Sequence, residues 1–180
     1  SSTRDILAHI KKLEKEGYEF EAADASFELL VRRSLEKLSA PFQLDSYKVE
    51  VARARPHAKE TSKATVTVRV GKKARKTSAS GDGPVNALDA ALRKALLPAF
   101  PALKKMKLID YKVRIVNSRG GTAARIRVLV ESTDGHREWG TVGVSTNILE
   151  ASAHALVDSL SYFLLPKRNE KRVEKSSSVR

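Results

Sequence analysis

Gly81-Asp82-Gly83-Pro84 is the stretch whose residue types and spacing come nearest to chemistry. Two glycines let a backbone pass close to a ligand or to another chain. Pro84 suits the first turn of a helix, where unpaired N–H groups and the positive dipole end favour a carboxylate. The same four residues also suit an ordinary turn into a helix. Gly143-Val144-Ser145-Thr146-Asn147 stands at the equivalent place further on, with one glycine instead of two. Other chemistry is thin. The four histidines, His9, His57, His136 and His154, form no i, i+2 or i, i+4 pair, and with no cysteine a metal site would need distant ligands to converge. No serine sits in a G-x-S-x-G elbow, and Gly81-x-Gly83 lacks the third glycine of a dinucleotide loop. No catalytic constellation is present.

A repeat positions these loops. Ser46–Val51 returns as Asp110–Ile115, 64 positions on, and Pro84–Leu96 lies over Ile148–Leu160 at the same shift. Between them, Lys63–Val70 fits Ala123–Val130 at a shift of 60, so one loop is expected to lose four residues and the next to gain four. A duplicated unit that cannot bury its apolar face alone packs against its copy, and the cleft between copies is a natural ligand site.

Periodicity predicts a helix over residues 3–16, with Ile6, Ile10 and Leu13 on one face and Gly17 as a left-handed stop. A second helix is predicted over 21–38, with Phe27, Val31, Leu35 and Leu38 as its apolar stripe. Pro41 ends this helical part. Strands at 47–52, 64–70 and 76–80 precede a helix at 84–97, and strands at 111–116, 123–131 and 139–144 precede a helix at 147–164. The order is αα-βββα-βββα, an α+β fold. It comprises a helical hairpin over 1–40, two pseudo-symmetric βββα units over 44–166, and a disordered basic tail over 167–180.

The net charge of +13 is uneven: residues 41–110 carry fifteen Lys/Arg against six Asp/Glu, whereas residues 1–40 are close to neutral. Such an excess raises nucleic acid as a partner. Yet the clusters Arg53-Ala54-Arg55-Pro56-His57-Ala58-Lys59 and Lys72-Lys73-Ala74-Arg75-Lys76 contain no aromatic residue on which a base could stack, which weakens the alternative of a basic nucleic-acid-binding module and leaves it backbone contacts alone. There is no apolar run of membrane-spanning length and no secretory pattern, and the lack of cysteine suits a reducing compartment, so a cytoplasmic location is expected.

Three stretches resemble one family. Gly17-Tyr18-Glu19-Phe20-Glu21-Ala22-Ala23-Asp24-Ala25-Ser26-Phe27-Glu28-Leu29-Leu30 resembles the linker of the citramalate synthase branch of the 2-isopropylmalate synthase family. Gly81–Leu88 resembles the glycine-proline motif of that family's C-terminal regulatory domain, and Trp139–Ser152 resembles the motif opening its last helix. The resemblance implies a dimeric regulatory domain that binds an end-product branched-chain amino acid, isoleucine or leucine, between its βββα units. It implies that the chain alone is not an enzyme. Its partner would be its own N-terminal catalytic barrel, and a divalent metal and acetyl-CoA belong there; no cofactor is expected in this chain. Gly81, Asp82, Gly83, Pro84, Val85 and Ala87 would then form one wall of the effector site, and Asp110, Tyr111, Val113, Thr122, Ala123 and Ala124 the other. Asp82 or Asp110 would meet the ammonium, and N–H groups around Gly83 the carboxylate. The structural alternatives are a plain turn at Asp82 and ordinary strand packing for Tyr111 and Val113.

Overall fold

A computed structural model describes residues 3–36, 38–116 and 124–165. The expected tail over 167–180 and the candidate site residues Thr122 and Ala123 lie outside the described residues. Two helices open the fold, α1 (Thr3–Lys15) and α2 (Asp24–Leu35). Strands β1 (Gln43–Ala52), β2 (Thr61–Val70) and β3 (Lys73–Gly81) precede α3 (Pro84–Leu96). A short 3-10 turn (Pro101–Lys105) then leads into β4 (Lys107–Ile115), β5 (Ile126–Thr133), β6 (Glu138–Ser145) and α4 (Ile148–Leu164). The α+β order expected from the sequence is the one observed. The 3-10 turn has no periodic signal and was not expected.

Each unit is a three-stranded antiparallel meander, β1-β2-β3 or β4-β5-β6. In the first, the alternating residues Ala64, Val66 and Val68 turn inward and are fully buried. The helix laid across them carries Ala87, Leu88, Ala91, Leu92, Ala95 and Leu96 on its buried stripe. The alanines let the helix lie close to the sheet, and each buried leucine contributes about 1.5–3 kcal/mol. In the second unit Val128, Val130 and Trp139 meet Ala151, Ala155, Leu156 and Leu160, and both units share one apolar core.

The repeat holds a single spacing throughout. Tyr47 pairs with Val66 and Val66 with Thr77; 64 positions on, Tyr111 pairs with Val130 and Val130 with Thr141. The turn glycines Gly71 and Gly135, both at positive φ, obey the same spacing. The compensating changes in loop length expected from a shift of 60 are therefore absent. An alternating strand slipped by an even number of residues keeps every apolar residue on its face, so hydrophobicity alone cannot separate 60 from 64. At the true register Val68 corresponds to Ser132, a buried serine whose hydroxyl is 2.7 Å from that of Ser159. A bulge recurs at Asp45 in β1 and at Ile109 in β4. The extra residue resets the alternation, so Leu44 and Tyr47 both reach the core, as do Leu108 and Tyr111.

The hairpin lies against the second unit. Arg125 and Arg127 donate to the carbonyls of Glu16 and Gly17 at the end of α1 (3.0 and 2.8 Å). Tyr18, Phe20 and Ala23 cover Val142, Val144 and Leu129 on the outer face of β5 and β6. The face of α1 was expected correctly, with Ile6 buried. The face of α2 was not: Ala25, Ser26, Leu29 and Arg32 are buried, whereas Phe27 is 40% and Leu35 53% exposed. The buried side is small and polar because it lies along the edge of β6 and makes hydrogen bonds there.

Candidate functional site

The loop from β3 into α3 is held by its own side chains. A Cβ on Gly81 would stand 2.5 Å from both the Ala87 nitrogen and Asn86 Oδ1, so the chain can pass there only as glycine. Asn86 Oδ1 accepts the Asp82 N–H at 3.1 Å, and Asp82's side chain is exposed. Gly83 is the N-cap residue of α3, in extended backbone, and no side chain caps the helix. A Cβ on Gly83 would meet nothing within 4 Å. Pro84 follows as the first helical residue, and Ala87 is fully buried in the core.

Val85 and Tyr111 come together across a cavity of about 700 Å³ between α3 and β4. Leu97, Leu103, Met106 and Leu108 supply its apolar lining. Asp89 and Arg93 supply a salt bridge at 2.9 Å, and Arg93 also donates to the Met106 carbonyl at 2.8 Å. Sequence reasoning passed over this pair, although its i, i+4 spacing on a helix was visible. Ser152 was passed over too. Its hydroxyl donates to the Ile148 carbonyl (2.6 Å), which leaves it as acceptor for the Tyr111 hydroxyl at 2.8 Å. Tyr111 therefore spans from α3 to α4.

Asp110 is placed elsewhere. Being next to Tyr111 in the strand, it points to the opposite face and forms a 2.9 Å salt bridge with Lys112. Chiefly through Lys112, its carboxyl is held below the usual carboxylate range. It borders a smaller cavity with Glu21, Asp24, Glu131 and Gly140 on the outer side of the second sheet. Val113 lies two residues beyond Tyr111 and is 42% exposed; Ala124 is buried just before β5.

The repeat generates a second cavity. Leu44 and Tyr47 face Ala153 and Val157 of α4 as Leu108 and Tyr111 face Asp89 and Arg93 of α3. With the hairpin as a further wall this cleft measures about 990 Å³. Among the described residues no three His, Cys, Asp or Glu side chains converge as a metal site, and no helix is long and apolar enough to cross a membrane.

The two duplicated βββα units thus enclose apolar, partly charged cavities between them. The family model that matches residues 21–164 is the LeuA allosteric (dimerisation) domain, and the chain belongs to that family. It is 51% identical over 167 residues to an (R)-citramalate synthase of Aquifex aeolicus (strain VF5), covering 93% of this chain and 32% of the relative. An (R)-citramalate synthase of Geobacter sulfurreducens is 51% identical over 162 residues, or 90% of this chain and 31% of the relative. A 2-isopropylmalate synthase of Methanocaldococcus jannaschii is 33% identical over 101 residues, 56% of this chain and 18% of the relative. The chain spans about a third of the length of the citramalate synthases it matches.

Proposed function

We propose that this chain is the regulatory, dimer-forming module of a citramalate synthase and that it takes isoleucine as feedback effector. The carrying observation is the gap in similarity: 51% identity over nearly the whole chain to a citramalate synthase, against 33% over 56% of it to a 2-isopropylmalate synthase. Catalysis, with its divalent metal and acetyl-CoA, belongs to a barrel outside this chain. The cavity at Val85 and Tyr111 supports the effector reading, since its apolar lining suits a branched side chain. The first-turn N–H groups of α3, uncapped at Gly83, suit a carboxylate. Exposed apolar residues on the free strand β4 and at the start of α4 support dimerisation: Ile115 is 65% exposed, Val113 42% and Ile148 41%. The effector favours one arrangement of the dimer, and the hairpin carries the difference onward.

Thermal unfolding of the chain with isoleucine, leucine, valine and no ligand tests this. At 100 times its dissociation constant an effector stabilises by about 2.7 kcal/mol, roughly 5–10 °C at this size. The largest shift is expected with isoleucine. A larger shift with leucine would move the chain to the isopropylmalate branch, and no shift with any of the three would remove the effector.

A further inference from the structure

The helical hairpin meets the second βββα unit through a chain of polar contacts that, among the described residues, is not repeated at the first unit. β6 is an edge strand, and its outward N–H groups need partners. Gly140 N donates to Asp24 Oδ1 at 2.9 Å, and Val142 N donates to Ser26 Oγ at 3.0 Å. The Ser26 hydroxyl in turn donates to Asp158 Oδ2 on α4 at 2.9 Å. Arg33, two turns along α2, reaches Asp158 Oδ1 at 3.1 Å. Tyr162, one turn along α4, donates to Glu28 at 3.0 Å. In the first unit the residue corresponding to Asp158 is Lys94, and its ammonium goes straight to the Ser78 carbonyl of the unit's own edge strand. An inserted helix, with a carboxylate at its hub, replaces a direct tie.

The fully buried residues of α2 are few and mostly small or polar: Ala25, Ser26, Leu29 and Arg32, with Leu29 the one large apolar side chain among them. On its other side the cleft of about 990 Å³ separates it from Phe42, Leu44 and Tyr47, and Ser26, Arg33 and Asp158 all border that cleft. Asp158 is a costly choice for stability alone. Burial raises its pKa more than the opposing influences of Arg33, the Ser26 hydroxyl and His154 lower it. Its contribution to stability therefore falls as pH rises from the ordinary aspartate range through its raised pKa. Asparagine would keep the Ser26 bond without a buried ionisable group, but it would not hold Arg33 by charge.

We infer that Ser26, Arg33 and Asp158 form a releasable latch, by which the hairpin docks on and parts from the second βββα unit as a body of its own. The latch stands whether or not isoleucine is the effector; if it is, the latch is where the unit's state passes to the hairpin. The test is hydrogen exchange, followed by mass spectrometry, of peptides covering α2 and β5, together with the urea midpoint. Asp158→Asn should speed exchange in α2 about tenfold or more while β5 keeps its protection and the midpoint stays or rises. Arg33→Gln, at a side chain 38% exposed and no threat to folding, should do the same. The double substitution should add nothing further, because both residues serve one contact. Unchanged exchange in α2 in either single variant would overturn the latch. So would equal acceleration of α2 and β5, which would make Asp158 a plain stabilising residue. Loss of the isoleucine shift in the unsubstituted chain would strike the effector alone.

Discussion

The two βββα units keep the centre of the inner face and part company at its end and on the outer face. Inside, Val66, Ala91, Leu92 and Leu96 correspond to Val130, Ala155, Leu156 and Leu160, and all are buried. Thr77 donates to the Ala91 carbonyl at 2.9 Å as Thr141 does to Ala155 at 2.8 Å. Outside, Thr65, Ser78 and Ser80 of the first unit stand where the second has Leu129, Val142 and Val144. The first sheet faces solvent, and its edge strand carries exposed Lys73, Arg75 and Lys76, a charged guard against unwanted pairing. The second sheet is covered by the hairpin, and its edge is capped by Asp24 and Ser26. Duplication thus preserved what the shared core requires and released the outer surface, and one copy became the seat of the linker helices.

The largest expected effect lies at the end of the inner face, where Trp139 has Arg75 as its counterpart. Trp139 is buried, stacks on Phe163 and donates to the Ser159 carbonyl and hydroxyl (3.3 and 3.1 Å). Trp139→Ala should cost about 3–5 kcal/mol in urea unfolding, whereas Arg75→Ala should stay within about 0.5 kcal/mol. Comparable losses at both positions would mean that the first unit's edge is covered in solution.

The threonine pair sharpens the comparison on the conserved side. Thr→Val at either position removes one hydroxyl donor to a helix carbonyl and should cost about 1 kcal/mol. The loss should be larger at Thr141, which is fully buried, than at the half-buried Thr77. A neutral result at Thr141 would mean that the bond holds no tension between helix and sheet.

The repeat, the element order and the α+β class were legible in the sequence because alternation, capping and turn residues are local. Register was not, because an alternating strand looks the same after an even slip; only the pairing of Tyr111 with Val130 and the recurring bulge decide it. The opposite orientations of Asp110 and Tyr111 were legible, since strand neighbours point to opposite faces, whereas the family resemblance places both in one wall. The buried side of α2 was hidden for a different reason. Ser26 and Asp158 are 132 residues apart, and nothing local marks a serine as the bridge between an edge strand and a distant carboxylate.

Gly83 gives the smallest expected change in stability and bears most directly on the site. Its counterpart Asn147 caps α4 by accepting the Leu149 N–H at 2.9 Å, whereas Gly83 leaves α3 uncapped. Its φ of −156° is extended backbone that any residue adopts, and a Cβ there meets nothing within 4 Å. Within this chain the fold has no need of glycine at that position. Gly83→Asn should therefore add roughly 0.5 kcal/mol by restoring the cap and restricting the unfolded chain. If the substituted chain is at least as stable but no longer shifts with isoleucine, the glycine is there for something that approaches the helix end, a carboxylate or a second chain. Persistence of dimerisation in size-exclusion chromatography would then single out the carboxylate. If stability rises and the isoleucine shift is unchanged, the open cap is not part of the effector site, and the cavity at Val85 and Tyr111 must hold the ligand by its other walls.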